Sequence, residues 1–195
     1  MKSKIVLLLL VISTVIFLSG CIDMTIDSKV GRDGNLNHYN IKLEMDSMTY
    51  HLINEDGTFQ ELKEDVEQMG GTYRETWGQG TVTVISEFDN VNPEVIGVTS
   101  RIEDGYMVYE NRLANDISQT APGFTVTYYL EMPGTIIETN ADLVSENNAQ
   151  WNIAGPRQLD TIYAKSEIPT MPMPGASVLM LIIGIFGLVL IKYRN

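Results

Sequence analysis

The chain has 195 residues, with 25 acidic and 13 basic side chains, a formal net charge of −12 and a single cysteine. Four basic residues, Lys2, Lys4, Lys192 and Arg194, lie outside the segment that holds every Asp and Glu, so that segment carries a net charge of about −16. Such a charge repels phosphate groups and speaks against a protein that binds nucleic acid. One cysteine excludes an internal disulfide, so the packed core must hold the fold together.

The first 20 residues have the pattern of a secretory signal peptide. Lys2 and Lys4 precede a largely apolar segment, residues 5–18, and small residues follow it. A signal of this kind directs a chain out of the cytoplasm. We therefore predict a signal peptide over residues 1–20 and an extracytoplasmic location for the domain that follows.

The end of this segment, Leu18-Ser19-Gly20-Cys21, resembles a lipobox. In a lipobox the thiol of the cysteine takes a diacylglyceryl group, and a peptidase that admits the small residues before it then cuts the chain. The only cysteine in the sequence stands where this chemistry requires it. We predict Cys21 as the lipidation site, with Leu18, Ser19 and Gly20 as its recognition residues. The alternative is an uncleaved N-terminal anchor that ends in cysteine.

Residues 21–165 are predicted to form one domain in which strand periodicity dominates. Ile22, Met24 and Ile26 alternate with polar residues, and the segment 31–34, which ends in Asp-Gly, predicts a hairpin turn after the first strand. Further strands are predicted over residues 39–45, 81–88, 106–113, 124–130, 136–137, 150–153 and 161–164.

One amphipathic helix is predicted between these strands. Thr58 and Glu61 have the spacing of a capping box, in which the two side chains bond to backbone N–H groups of the first turn. Gly70 and Gly71 end the segment. The apolar stripe of the helix is predicted to consist of Phe59, Leu62, Val66 and Met69.

Shorter helical turns are predicted after Met45 and after Pro93. A hairpin, a helix and then a series of strands indicate an α+β fold. We therefore predict an antiparallel, strand-rich domain with one main amphipathic helix packed on the sheet.

The C-terminal part is again apolar. Residues 173–191 would form about 28 Å of helix, close to the ~30 Å thickness of a bilayer's hydrocarbon core. We predict a transmembrane helix over residues 175–191, preceded by a linker over 166–174 and followed by a basic tail over 192–195. The basic tail is expected in the cytoplasm, which again places the acidic domain outside.

Pro174 and Gly175, the apolar segment and the short basic tail are similar to the tripartite sorting signals that archaeosortases remove. Those signals usually read Pro-Gly-Phe, whereas Ala176 follows the glycine in this chain. The sequence therefore leaves two alternatives open, a retained membrane span and a span that is cut away.

The late part of the domain resembles the LppM-type lipoprotein domain. Residues 132–141 begin with Met-Pro-Gly and continue as a strand, and residues 151–153 read Trp-Asn-Ile. An acidic start after Cys21 and an early Asp-Gly turn extend the resemblance to roughly residues 21–166. The resemblance implies an α+β domain on a lipid anchor that handles envelope lipids or glycolipids, and it carries over no catalytic residues. The C-terminal span departs from it.

The residues that could carry chemistry are few. His38 and His51 are the only histidines, and they belong to no HExxH motif and lie near no Gly-x-Ser-x-Gly motif. Asp33 and Glu44 have the spacing of the first and twelfth positions of a calcium loop, but a turn followed by a strand is the competing interpretation. We therefore predict no catalytic residues, no metal site and no cofactor.

A lipid-binding role would need an apolar pocket, and the sequence offers Trp77, Trp151 and Tyr128 as candidate pocket aromatics. Aromatic residues at such positions are also typical of a core. We expect a non-enzymatic domain, anchored at the cell membrane, that binds a lipid or another apolar ligand. The alternative is a structural or assembly factor of the envelope that acts by protein contacts, and an enzyme is the third hypothesis. The membrane and an envelope lipid or protein are the expected partners.

Overall fold

The computed structural model describes residues 22–112, 124–154 and 161–169. The signal peptide, Cys21 and the C-terminal span lie outside these residues and remain predictions. Among the helices of the described residues, none is long and apolar enough to cross a membrane.

The described strands form two sheets, and every strand segment that the sequence predicts lies within or overlaps one of them. The strands are β1 (Ile22–Val30), β2 (Leu36–Asp46), β3 (Thr72–Trp77), β4 (Thr81–Val91), β5 (Val98–Glu103), β6 (Tyr106–Asn111), β7 (Phe124–Glu131), β8 (Ile136–Thr139), β9 (Leu143–Ser145), β10 (Asn148–Ala154) and β11 (Ile162–Glu167).

The main sheet has the strand order β3-β4-β2-β1-β7-β10-β9, and the second sheet has the order β5-β6-β11-β8. The predicted hairpin is confirmed, because β1 and β2 pair antiparallel with Ile26 opposite Ile41. Its turn places Gly34 at a φ of 86°, a left-handed conformation that glycine adopts without strain.

One strand pair departs from the predicted antiparallel sheet. β7 runs parallel to β1, with Ile22 opposite Phe124 and Lys29 opposite Glu131. Parallel neighbours need a long connection, and here that connection contains β2 to β6 and both helices. The remaining described pairs are antiparallel, so the prediction of a mainly antiparallel α+β fold is confirmed.

Two helices follow β2, α1 (Ser47–Ile53) and α2 (Thr58–Gln68), with a 3-10 turn at Asn54–Asp56 between them. A second 3-10 turn spans Pro93–Ile96. Both weaker helical turns predicted from the sequence are thus confirmed. Asp46 caps the N-terminus of α1, because its carboxylate accepts hydrogen bonds from the backbone N–H groups of Met48 and Thr49.

The main predicted helix is confirmed as α2, but its capping box is wrong. Gly57, in a left-handed conformation, precedes the helix and makes no side-chain cap. The oxygen Oδ1 of Asn54 instead accepts the N–H of Phe59, because the preceding 3-10 turn brings Asn54 under the first turn of α2. Phe59 and Val66 are buried as predicted, whereas Met69, just past the last turn, is exposed.

Apolar side chains form two packed clusters. The main core lies between the two sheets, and its largest fully buried members are Trp151, Tyr39, Tyr109 and Tyr128. The smaller cluster lies beneath the two helices and consists of Met45, Tyr50, Phe59, Val82 and Val84.

The described chain enters and leaves at opposite ends of the main sheet. Ile22 lies beside the first residue of β7, whereas the N–H of Glu167 bonds to the carbonyl of Thr135, four residues beyond the end of β7. β11 also extends two residues past the predicted domain boundary at 165, and Ser166 is fully buried. The carbonyl of Glu167 lies so close to Gly134 that a side chain there would collide with it, which gives the Met-Pro-Gly segment a packing role.

Candidate functional site: a groove on the outer face of the main sheet

The face of the main sheet opposite the core carries polar side chains. Alternation along each strand sends one set of residues into the core and the next set outward. On β1 this leaves Asp27 and Lys29 on the outer face, and the strand register places His38 of β2 opposite Lys29. Tyr129 of β7 lies opposite Asp27, and Gln150 of β10 lies opposite Tyr129.

An open groove of about 600 Å³ follows this face across β2, β1, β7, β10 and β9. Its volume falls within the range of small-molecule sites, ~300 to 1,000 Å³. The residues that line it are Asp27, Ser28, Lys29, His38, Tyr129, Leu130, Glu131, Leu143, Val144, Ser145, Asn148, Ala149 and Gln150.

Charges of both signs lie in the groove. The Nζ atom of Lys29 is 2.9 Å from Oε1 of Glu131, on the neighbouring parallel strand. Partial burial raises the pKa of the Asp27 carboxyl, and the positive charges of His38 and Lys42 offset part of that increase. The charged floor therefore suits a polar group that carries no strong net charge of its own.

Apolar side chains border the same groove. Tyr129 and Leu143, whose side chains lie on the outer face, are 42% and 60% exposed. They lie toward the β9 side, whereas Lys29 and His38 lie toward the β2 side. The charged side chains of the groove therefore lie on β2, β1 and β7, and its exposed apolar side chains lie on β7 and β9 beside the uncharged polar residues Ser145, Asn148 and Gln150.

His38 lies beside two carboxylates at the edge of the groove. Its Nδ1 atom is 3.0 Å from Oδ1 of Asp89 and 4.0 Å from Oε1 of Glu87. The β2–β4 register produces this arrangement, because His38 pairs with Asp89 and Asn40 pairs with Glu87. The sequence predicted no metal site at His38, because the two carboxylates are about 50 residues away along the chain.

These three residues, His38, Glu87 and Asp89, could together hold a divalent cation, because their ligand atoms all lie within 4.8 Å of one another. Asn40 lies on the same face, two residues from His38. Among the described residues, its Oδ1 is buried without a hydrogen-bond partner. A cation or a water molecule would satisfy that oxygen.

The calcium-loop alternative does not fit the structure. The carboxylate of Asp33 accepts hydrogen bonds from the backbone and side chain of Asn35, which is the geometry of a turn. Glu44 lies far along β2, where it pairs with Lys42 at 2.8 Å. At ~3.3 Å per strand residue, Glu44 is about 26 Å from the start of β2, so it cannot share an ion with Asp33.

The three candidate pocket aromatics do not lie together. Trp151 and Tyr128 are 0% and 1% exposed, and their rings pack edge to face in the main core. Nε1 of Trp151 donates a hydrogen bond to Asn140. Trp77 lies on the edge strand β3, at the other side of the main sheet, and is 51% exposed. Because side chains alternate between the two faces of a strand, Trp151 and Tyr128 point into the core. They therefore pack in the core instead of lining a pocket, as had been predicted.

The lipidation site Cys21 and its recognition residues Leu18, Ser19 and Gly20 lie outside the described residues. They stay a prediction from the sequence.

The sequence did not predict the residues that line the groove. Alternation along β1 and β7 could have assigned Asp27 and Tyr129 to an outward face. It could not have shown that β7 pairs with β1, or that β9 lies at the edge beside Tyr129. The groove depends on both of these long-range pairings.

A search of protein-family models found no match to this chain. Among solved structures, the NMR structure of the folded domain of Mycobacterium tuberculosis LppM matches with a TM-score of 0.54 and 14% sequence identity. The match covers 77% of this chain and 91% of the LppM domain. It confirms the LppM-like α+β fold that the sequence resemblance implied, and at this identity it concerns the fold alone.

A sequence relative in Archaeoglobus fulgidus covers nearly the whole chain. It is described as an uncharacterized protein and is 32% identical over 206 aligned positions, which span 94% of this chain and 93% of the relative. The chain belongs to the same protein family as this Archaeoglobus fulgidus protein.

Proposed function

We propose that the chain is a membrane-anchored protein of the cell envelope whose extracytoplasmic domain binds an amphipathic ligand, such as a lipid, and catalyses no reaction. The observation that carries this proposal is the groove on the outer face of the main sheet. It combines a volume of about 600 Å³ with an apolar border on one side and charged groups on the other.

The two sides of the groove suit the two parts of such a ligand. A hydrocarbon chain would cover Tyr129 and Leu143, which are exposed apolar side chains on the outer face. A polar head would lie near Lys29 and His38. Because Asp27 and Glu131 are also present, a zwitterionic or hydroxyl-rich head fits better than a strongly anionic one.

The packing of the core directs a ligand to this outer face. The inner face of the main sheet presents Trp151 and Tyr128, and the second sheet presents Tyr109 toward them; all three are fully buried. A ligand that entered there would have to displace close-packed side chains, which costs several kcal/mol (roughly 2–5) per large side chain.

The anchor rests on the sequence at both ends of the chain. Replacing Cys21 by serine should abolish labelling by radioactive lipid precursors while the span over residues 175–191 keeps the protein in membranes. Release of the Cys21→Ser variant into the medium would show that the C-terminal span is cut away. Lipid labelling that survives in the variant would contradict Cys21 as the lipidation site.

Native mass spectrometry of the detergent-extracted full chain tests the ligand. We expect lipid to co-purify, and Leu143→Asp, at the apolar border of the groove, to lower the bound fraction. Ile102→Asp is the matched control, because Ile102 is equally exposed but lies on β5 of the second sheet. Wild type that carries no lipid, or equal loss in both variants, would overturn the proposal.

A second function is a structural or assembly factor that acts by protein contacts. The packing of the core favours it, since Trp151, Tyr128 and Tyr109 are fully buried between the two sheets. In the same mass spectrometry experiment, a lipid-free species that forms oligomers or retains an envelope protein would support this alternative.

A further inference from the structure

A second exposed apolar surface lies at the end of the main sheet where the chain enters the domain. The register places Ile22, Met45, Trp77 and Val82 at this end, because Asp23 pairs with Glu44 and β4 links Met45 to Trp77 through Val82. α1 starts directly after β2 at the same end. The residue that precedes Ile22 is Cys21, the predicted lipidation site.

Four side chains form this surface, which we name the tether-end patch: Met48, His51, Leu52 and Trp77. Met48, His51 and Leu52 have i, i+3 and i+4 spacing and so share one face of α1. The ring of His51 lies 5.7 Å from that of Trp77, which joins the helix to the sheet edge. Met48 and Leu52 are 64% and 71% exposed.

The patch has a rigid support. Tyr50, on the opposite face of α1, is buried, stacks on Phe59 at 4.7 Å and meets Trp77 edge to face at 4.9 Å. Ile22 packs against the same small cluster as Tyr50 and Phe59. The first residue after the predicted lipid anchor is thus fixed to the structure that carries the patch.

We propose that the tether-end patch lies on the surface of the lipid bilayer beside the anchored Cys21, with Met48, Leu52 and Trp77 inserted at the level of the head groups. This inference rests on the anchoring part of the proposed function. A bilayer is the occupant because the predicted lipid attachment is one residue from Ile22 and brings this end of the sheet to the membrane. Tryptophan is enriched at this depth of a bilayer because its ring is amphipathic.

Charge decides which bilayer the patch would contact. The domain carries about −16, so it is repelled by anionic lipids, and the contact must come from apolar insertion. The two carboxylates nearest along the chain already have partners. Asp46 caps α1, and Glu75 accepts hydrogen bonds from the hydroxyls of Tyr50 and Tyr73.

A retained C-terminal span would add an orientation to this contact. Residues 169–175 reach at most about 20 Å, whereas β7 alone is about 26 Å long and separates the two ends of the domain. A linker of this length favours strands that are inclined to a bilayer that holds both tethers. The domain would lie inclined, with the tether-end patch down.

The test uses the full-length chain, extracted from membranes and placed in phosphatidylcholine vesicles, some with acyl chains brominated near the head group. Flotation of the vesicles first shows that the chain is anchored. The fluorescence of Trp77 is the difference between the emission of wild type and that of a Trp77→Phe variant. We expect the brominated lipid to quench most of this Trp77 fluorescence. Acrylamide in the water phase should quench that emission less in vesicles than in detergent. Trp151 is fully buried and should respond to neither quencher.

The double variant Met48→Ser, Leu52→Ser should lower the quenching by brominated lipid. Val95→Ser is the control, because Val95 is an exposed aliphatic residue in the 3-10 turn at the far end of the main sheet. A floating chain whose Trp77 is quenched by acrylamide but not by brominated lipid would overturn the patch and leave the anchor intact. A chain that does not float would overturn the anchor, and the patch with it.

Discussion

Tyr128 and Tyr129 are neighbours on β7, yet Tyr128 is 1% exposed in the main core and Tyr129 is 42% exposed beside the groove. The same contrast holds on β10, where Trp151 is buried and Gln150 lies on the outer face. Each strand of the main sheet thus contributes to two surfaces that differ in burial and in chemistry. The inner face forms the packed core, and the outer face carries the groove of the proposed ligand site.

The polar groups on the inner face of the main sheet form hydrogen bonds with polar groups of the second sheet. The hydroxyl of Tyr109 donates a hydrogen bond to Oγ of Ser28 and forms another with the hydroxyl of Tyr128. The hydroxyl of Tyr128 also accepts a hydrogen bond from Nδ2 of Asn111, at 3.0 Å. Burial raises the pKa of both tyrosines, so the hydroxyls stay protonated at neutral pH. The outer face leaves its polar groups half exposed, where a ligand can reach them. Stability should therefore depend on the inner face and binding on the outer one.

Replacing Trp151 by alanine should have the largest effect on stability. The change removes the largest fully buried side chain and leaves a cavity, so we expect a loss of about 3–5 kcal/mol in the free energy of unfolding. Urea unfolding followed by circular dichroism measures it. Gln150→Ala, the adjacent outer-face variant, should change stability by less than about 0.5 kcal/mol. Similar losses in the two variants would break the comparison of the faces.

Tyr128→Phe removes a single oxygen from the inner face. Tyr109 and Asn111 each lose a hydrogen bond in a site without access to water, so we expect a cost of about 1–3 kcal/mol. Tyr129→Phe is the matched change on the outer face and should be nearly neutral. If the two phenylalanine variants unfold at the same urea concentration, the buried hydroxyl network contributes nothing to stability.

Lys29→Ala tests an ion pair on the outer face. Lys29 and its partner Glu131 are 48% and 41% exposed, so their attraction is weakened by water, and we expect a loss of about 0–1 kcal/mol. The loss should shrink further in high salt. A loss in the free energy of unfolding near that of Tyr128→Phe, or a loss that does not change with salt, would show that the outer face also contributes to stability.

Asp27→Asn should give the smallest effect, with a defined pH dependence. Burial raises the pKa of Asp27, so folding favours its protonated form. Protonated Asp27 therefore contributes to the free energy of unfolding at a pH below the ordinary aspartate pKa. This contribution is lost as the pH rises through the raised pKa of Asp27 in the folded state. We therefore expect Asp27→Asn to raise Tm slightly at about pH 7 and to match wild type near pH 3.5. Thermal unfolding at both values measures this, and a lower Tm for the variant at neutral pH would contradict it.

The sequence predicted local structure well. The Asp-Gly turn and the alternation in β1 and β2 indicated the first hairpin, since both signals lie within about 25 residues. The spacing of the apolar residues in α2 likewise predicted the helix. Its start was not, because the cap is supplied by Asn54 from a preceding turn rather than by Thr58.

The candidate site could not be predicted in the same way. His38 and Asp89 are separated by 51 residues, and only the register of β2 against β4 brings them together. Trp77, Trp151 and Tyr128 look alike in the sequence. Their different positions follow from which face of which strand each one occupies.

The sequence by itself determined the predicted export signal, the predicted lipidation at Cys21, the acidity of the domain and its strand-rich α+β class. These properties depend on local composition and periodicity, which survive in an unfolded chain. Only the tertiary structure decided that β1 pairs with β7, that a groove crosses the outer face, and that Met48, Leu52 and Trp77 lie at the same end of the main sheet as Ile22. These features depend on contacts between segments that are distant along the chain. Many strand registers would have similar local interactions, and the packing of the core selects one of them.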